Sequence, residues 1–333
     1  MHIISFFKIA KSLLNENSNL GTKEKILFFI KVLLSLVIII YFIYKIDFKS
    51  AMHIMVLGNH YLIGGAGLLC ILNIYLQYSK WRLIVSKCLH INHSSSIFYS
   101  LMHGIAIGSF TPARLGEYIG RKIALTHATL FQITALTVID KLFSLFVTLG
   151  FGAAATILYL HFMVGVSSYI SLSLLFSFLI SVMIAGYLLT HQNLWNSTLI
   201  RQIQKISLLK NIAYKLSLIK NLESGVLWRS LGLNVLLYSC FLTQYVLLLM
   251  AFDSNASALS SYWSGSLMFF AKTIIPAISL GELGIREGAS MFFAKQFSIP
   301  EVAGFNAAIG IFLINIFVPS FIGMLLLFKK SDD

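Results

Sequence analysis

Residues Pro112-Ala-Arg-Leu-Gly-Glu-Tyr-Ile-Gly-Arg121 return later in the chain as Pro276-Ala-Ile-Ser-Leu-Gly-Glu-Leu-Gly-Ile-Arg286. From the leucine onward the copies align without a gap, Leu115-Gly116-Glu117-x-x-x-Arg121 on Leu280-Gly281-Glu282-x-x-x-Arg286. Both lie in strongly apolar sequence, where an ionised side chain at the bilayer centre costs about 3 kcal/mol or more. A Pro/Gly-interrupted apolar segment in matching positions of two halves points to a transporter's binding site.

Composition sets the frame around this repeat. The chain is 58% hydrophobic and 11% charged, with a mean hydropathy of +0.84, too apolar for a soluble domain to cover. The net charge is +13. No compact Lys/Arg run interleaved with aromatics accompanies it, so nucleic acid is not an expected partner. The excess reads instead as positive-inside bias and attraction to anionic lipid. Cys70, Cys88 and Cys240 show no disulfide or metal-ligand spacing, and the nine histidines form no HxxxH or His/acid cluster. Nothing calls for a metal or cofactor, and no GxSxG, Walker or HExxH pattern occurs. Residues 1–25 lack a signal-peptide pattern, and Ile3 to Leu14 suits a segment lying on the inner membrane surface.

Apolar runs near the ~20 residues a bilayer requires occur at 26–44, 61–85, 130–160, 168–190, 230–251 and 303–328. Two shorter runs, 96–111 and 262–277, end at Pro112 and Pro276 and read as re-entrant hairpins or broken helices. The expected fold class is therefore an all-α polytopic membrane protein of about six full spans plus two hairpins, eight membrane segments in all. Lysines and arginines gather in residues 1–25, near 80–90, at the C-terminus and in the loop 191–229, which holds Arg201, Lys205, Lys210, Lys215, Lys220 and Arg229. The segments 160–168 and 252–262 are nearly uncharged, whereas the 45–60 loop, with Lys45 and Lys49, is slightly out of line. Both termini and the basic loop 191–229 are thus expected in the cytoplasm. Each half (about 26–160 and 168–328) then has an odd number of spans, so the halves are inverted.

On a helix, Arg114, Glu117 and Arg121 fall at i, i+3 and i+7 along one stripe, matched by Ser279, Glu282 and Arg286 with Glu287 adjacent. Opposite charges at i, i+4 lower each other's burial cost, and an arginine with free donors grips phosphate by its fork. Gly116, Gly120, Gly281 and Gly284 permit close backbone approach at the hairpins opened by Pro112 and Pro276. Candidate substrate-binding residues are therefore Arg114, Glu117, Arg121, Glu282, Arg286 and Glu287. Asp140, inside the third apolar run, is a candidate partner of Arg121, and Lys272 a candidate for the same cavity. Against this stands the reading that these charges are structural ion pairs pinning kinked helices. Asp140-Lys141 also fits an end-of-helix pair at the interface, and Lys80-Trp81-Arg82 reads as an interfacial anchor.

Lys80-Trp-Arg, Pro112-Ala-Arg-Leu-Gly-Glu, Ile139-Asp-Lys and Leu280-Gly-Glu-Leu-Gly-Ile-Arg-Glu287 together resemble the lysylphosphatidylglycerol synthase/flippase transmembrane family, over about residues 25–328. This is the family of the flippase-like membrane part of the bacterial multiple peptide resistance factor. The resemblance implies a membrane domain that moves lipid between leaflets, which some members join to a soluble aminoacyl-transferase. It carries over to Pro112, Arg114, Gly116, Glu117 and Arg121, and to Gly281, Gly284 and Glu287. The chain ends at Asp333 with no such transferase expected. Where the family pattern is Gly-Gly-x-Gly, it has Gly281-Glu282-Leu283-Gly284. Neither lysyl transfer nor a cationic, aminoacylated lipid is carried over.

The expected function is translocation of a phospholipid or lipid-linked intermediate, with membrane lipids bearing a phosphate headgroup as partners, in the bacterial plasma (inner) membrane. No ATP site is visible, so movement would be downhill, ion-coupled or scrambling. The alternatives are a membrane-embedded transferase acting on polyprenyl-phosphate lipids, a secondary transporter of a small anion, and a non-transporting partner of a separate lipid-modifying enzyme.

Overall fold

Helix α1 (His60–Leu89) shows how local sequence sets the long elements. Its N-cap Asn59 accepts the Tyr61 N–H at 3.0 Å. It stops at His90, in the left-handed conformation at φ 56°, with Lys87 at the negative end of the helix. The computed structural model describes residues 58–109, 111, 114–190, 224–275 and 284–328, and among them all regular structure is helical. After α1 come α2 (Ser94–Ser109), α3 (Gly116–Ile123), α4 (Leu130–Phe162) and α5 (Ser168–Thr190). Then follow α6 (Ser224–Phe252), α7 (Ala258–Ile274), α8 (Ile285–Gln296), α9 (Glu301–Phe312) and α10 (Val318–Phe328). Helix α4 opens on a capping box, in which Thr129 and Gln132 satisfy each other's backbone N–H groups.

Among the described residues five segments are long and apolar enough to cross a membrane: His60–Leu89, Leu130–Phe162, Ser168–Tyr187, Gly225–Phe252 and Glu301–Leu327. They match five of the expected spans. The sixth, 26–44, lies outside the described residues, as do the N-terminal segment and most of the loop 191–229. Helix α6 begins at Ser224, ahead of the expected 230, and so takes in the end of that loop. The last span is interrupted by a wide turn at Leu313–Phe317. Pro319 lies just beyond it; lacking an N–H, it cannot bond the Asn315 carbonyl four residues back, and its ring crowds that carbonyl. Helix α5 leaves Leu172, Phe176, Leu179 and Met183 exposed, as a helix bathed in lipid does.

Helices α1 and α6 run antiparallel through the centre, joined by buried amides. Asn73 donates to Gln244 Oε1 at 3.3 Å, and Gln244 donates to the Ala66 carbonyl at 2.9 Å. Asn315, in the wide turn of the last span, donates to the same Gln244 oxygen at 3.0 Å. Two apolar cores flank this ladder. One joins the C-terminal part of α1 (Trp81, Ile84) to α2, α4 and the start of α6 (Val226, Leu227). The other joins the C-terminal part of α6 (Tyr245, Leu249) to α7, α8, α9 and the start of α1 (Ala66). In each core a helix-break-helix pair packs on the C-terminal part of the long helix before it.

The first pair, α2 and α3, folds back on itself as an antiparallel hairpin. Gly120 faces His103 and Gly116 faces Ile107, so closely that a Cβ at Gly120 would run into the His103 carbonyl. A Cβ at Gly104 would stand 2.6 Å from Arg121 Cγ, and one at Gly108 would stand 2.9 Å from Glu117 Cβ. Glycines on both helices thus make room for the motif's charged stems. In the second pair, α8 is sewn to its neighbours by Ser290. That hydroxyl donates to the Gly304 carbonyl of α9 at 2.6 Å and shares a 2.8 Å bond with the Tyr245 hydroxyl of α6.

Gly120→Val should lower stability by about 1–3 kcal/mol, because the opposing atom is backbone and cannot swing aside. Gly64→Ala on α1, where a new Cβ meets nothing within 4 Å, should leave it nearly unchanged. Thermal unfolding of the purified protein in detergent measures both.

Candidate functional site

The site is a buried network of charges where α3, α4, α1 and α6 meet. Arg121 sits at its centre, 4% exposed. Its two terminal nitrogens each lie 3.2 Å from Asp140 Oδ2 on α4, and Nη2 is also 2.7 Å from Glu117 Oε1 one turn back on α3. Its guanidinium carbon stacks 4.0 Å above the Trp81 ring of α1. The Trp81 indole N–H donates to Ser100, and the Ser100 hydroxyl donates to the backbone carbonyl of Arg121 itself. Arg121 Nε packs against Gly104 with no hydrogen-bond partner. The terminal donors of this guanidinium are therefore engaged by protein carboxylates.

The second oxygen of Asp140 pairs with Lys80 Nζ of α1 at 3.1 Å. Lys80 also donates to Ser144 of α4 at 2.7 Å and to Asn234 of α6 at 3.0 Å. Asn234 is held in turn by its bond to the Ser230 carbonyl at 2.7 Å. Lys80, Arg121, Glu117 and Asp140 make a neutral quartet, each side chain at most 7% exposed. This is how an apolar bundle tolerates ions: each charge faces an opposite one, and further hydrogen bonds to Ser144 and Asn234 hold the Lys80 ammonium.

Two more cations stand at the edge. Lys141 Nζ lies 2.8 Å from Glu117 Oε2, and Arg114 Nε lies 3.6 Å from the same oxygen. Their side chains are 38% and 36% exposed, unlike the quartet behind them. Lys141 also reaches over the Tyr118 ring, 5.6 Å from its centroid. Among these residues four cations (Lys80, Arg114, Arg121, Lys141) stand against two carboxylates (Glu117, Asp140), so two positive charges are in excess. Arg114 does not share the α3 helix as the i, i+3, i+7 spacing implied. It precedes the N-cap Leu115 and adopts φ 56°, the left-handed region. That conformation costs a residue bearing a Cβ about 1–2 kcal/mol. It is fixed here by the Arg114 N–H to the Thr111 carbonyl at 3.0 Å and by the Gly116 N–H to the Thr111 hydroxyl at 2.7 Å.

The second motif is described in part; Pro276, Gly281 and Glu282 lie outside the described residues, as does Pro112 of the first. Arg286, 1% exposed, has Nη2 3.1 Å from Glu287 Oε1 and its guanidinium carbon 5.3 Å above the Phe312 ring. Glu287 Oε2 accepts the Gly284 N–H at 2.6 Å. Gly284 takes φ 97°, which only glycine adopts readily. Lys272, on the last turn of α7, is half-buried. Among the described residues the ion pairs of the two motifs share no residue, so the described candidates form two separate clusters. The first gathers Arg114, Glu117, Arg121 and Asp140; the second holds Arg286 and Glu287.

Asp140 meets Arg121, as its position in the third apolar run suggested, and it does so within α4 rather than at a helix end. Lys80 and Trp81 correct the interfacial-anchor reading: they are 6% and 0% exposed and face inward, and Arg82 alone is turned outward. Lys141, read with Asp140 as a candidate partner of the motif charges, does pair with Glu117, whereas Ser144 and Asn234 are what sequence reasoning missed. The signal for Lys80 lay in its spacing, since Asn73, Gln77 and Lys80 recur at i, i+4 and i+7 on one face of α1. Beyond Ser144 and Asn234 the wall turns apolar. A cavity of about 570 Å³ opens between α4, α5 and α6, lined by Phe146, Gly150 and Phe151, by Phe178, and by Leu231 and Val235.

Asp140→Ala should destabilise the fold by about 3–5 kcal/mol, because it strands Lys80 and part of Arg121 without counter-charge. Lys80→Gln combined with Asp140→Asn should lose at least 0.5 kcal/mol less than the two single changes summed. Denaturation midpoints of the wild type and the four variants in one detergent decide both.

Residues 28–323 match the family model described as the lysylphosphatidylglycerol synthase TM region. No curated protein and no solved structure matches the chain. The match spans most of the 333 residues and includes the hairpin, the charged quartet and the long apolar helices that carry them. The chain is an integral membrane protein belonging to the lysylphosphatidylglycerol synthase transmembrane-region family.

Proposed function

We propose that this protein translocates a phospholipid or lipid-linked intermediate between the leaflets of the bacterial plasma membrane. The observation that carries this reading is the pairing of two surfaces. A half-exposed, net-positive rim (Arg114, Lys141) stands over a buried neutral quartet, and an apolar cavity lies further along the same helix α4. A lipid has those two parts, an anionic headgroup and apolar chains. On this reading the headgroup passes at the rim while the chains stay among apolar side chains. The two helix-break-helix pairs are re-entrant and belong to inverted halves, which the packing of each pair on the C-terminal part of a long helix supports. Both termini and the loop 191–229 are cytoplasmic, from the lysine and arginine distribution.

The protein acts as a transporter rather than an enzyme on this reading. A small-anion carrier would use the same rim cations. The apolar cavity beside the charged network favours lipid over such a solute.

Reconstitution in liposomes with fluorescent phospholipids tests this. Dithionite should reach nearly the whole lipid pool in vesicles holding wild-type protein. It should reach only the outer leaflet in empty vesicles and in those holding folded Glu117→Gln protein. Equal protection in all three, with a range of headgroups, would defeat lipid translocation.

A further inference from the structure

We propose that the group held at the first motif is a phosphate monoester, a dianion, gripped by Arg114 and Lys141 together. This deepens the lipid-translocation reading and rests on it. It narrows the substrate to headgroups with about two negative charges.

The charge arrangement leads there. Behind the rim, Lys80, Arg121, Glu117 and Asp140 cancel one another, and the terminal nitrogens of Arg121 are taken by two carboxylates. Arg121 is therefore a positioning residue: it holds Glu117 and the hairpin, and does not grip the ligand. At the rim, two cations lean on one oxygen, Glu117 Oε2, at 2.8 and 3.6 Å. Arg114 Nε makes no hydrogen bond there. Among the described residues this surplus of two positive charges beside apolar helices has no counter-charge of its own, and a bound dianion supplies it. A phosphate monoester carries about −1.5 to −2 at neutral pH. It offers three oxygens, enough for a guanidinium fork and an ammonium at once.

The backbone of Arg114 is the second, independent observation. The chain turns through φ 56° at that residue, a position where glycine would sit without strain. A bulky cation held in such a conformation marks strain stored at a working site. A merely structural position would be more stable with glycine, because the 3.6 Å contact to Glu117 is already duplicated by Arg121 and Lys141.

The charge balance also sorts headgroups. A lysylated phosphatidylglycerol carries one phosphate charge and two ammonium groups, so it would add a positive charge to a site already in positive excess. A zwitterionic headgroup would leave the surplus unmet.

The test uses the full chain in nanodiscs, with lipid binding read by native mass spectrometry and by thermal shift. The probes are phosphatidic acid, phosphatidylglycerol, phosphatidylcholine and lysyl-phosphatidylglycerol, with glycerol 3-phosphate as the soluble phosphate ester. Phosphatidic acid should bind at least about tenfold tighter than the others, and Arg114→Gly and Lys141→Gln should each cost about tenfold, the worth of one charge-assisted contact. Arg114→Gly should keep or raise the melting temperature of the protein in nanodiscs without added ligand while losing the ligand, which a structural role would not produce. Arg82→Ala, an exposed cation of α1, should change nothing. Competition by glycerol 3-phosphate would identify the phosphate as the recognised group. If that compound binds as tightly as phosphatidic acid, the clamp holds a free phosphate ester rather than a lipid. Tightest binding of the lysylated lipid would overturn the proposal. So would a wild type indifferent to headgroup charge, or unchanged binding in both folded variants. Leaflet exchange measured on the same protein separates the two ideas. Exchange without headgroup preference sinks the dianion clamp alone; preference without exchange sinks translocation alone.

Discussion

Everything at the charged site depends on one guanidinium being neutralised twice. Arg121 lies between Asp140 on α4 and Glu117 on α3, with Trp81 of α1 beneath it. An ion in an apolar bundle is costly unless its partners come from fixed geometry, and these come from three separate helices. The α2–α3 hairpin is thereby tied to α4 and α1 through a single side chain. The glycines of α2 and α3 follow from the same constraint. Only a bare backbone at Gly104 and Gly108 leaves space for the Arg121 and Glu117 stems. Packing and electrostatics are one problem at this site, solved by the smallest and the largest side chains together.

The arrangement divides labour between depth and edge. The quartet is buried and neutral. The rim residues Lys141 and Arg114 are a third exposed and carry the surplus. Asp140 and Lys141, adjacent in sequence, point about 100° apart on α4. One therefore enters the quartet while the other reaches Glu117 from the outer side. A single helical step thus separates a structural charge from a contact-making one. The second motif repeats the buried Arg–Glu pairing with Arg286 and Glu287, with Arg286 stacked on Phe312.

Much of this was legible in sequence where the signal was periodic. The apolar runs located five spans to within a few residues, and the i, i+4 spacing of Glu117 and Arg121 foretold their 2.7 Å contact. Asp140 could be placed because an acid inside a long apolar run has few partners available. Lys80-Trp81 was misread because a cation beside an aromatic near a helix end looks the same whether it faces headgroups or a buried carboxylate. The helical face decides, and Asn73 and Gln77 on that face were the clue. Arg114 was placed on a helix because spacing says nothing about φ. The left-handed turn depends on the Thr111 hydroxyl and carbonyl, a local hydrogen-bond choice with no periodic trace. Ser144 and Asn234 were invisible for another reason: single polar residues in apolar helices become meaningful only once their neighbours across the interface are known.

The amides between α1 and α6 carry a mechanical consequence. Asn73, Gln244 and Asn315 interlock across three segments, and Gln244 also holds the Ala66 carbonyl. If α1 slid along α6 by one residue, each of these buried groups would lose its mate at the cost of an unsatisfied polar group. The two helices are keyed in register like teeth in a rack. Such interlocking resists piston-like sliding of α1 along α6, so the two helices act as one framework on which the helix pairs are mounted.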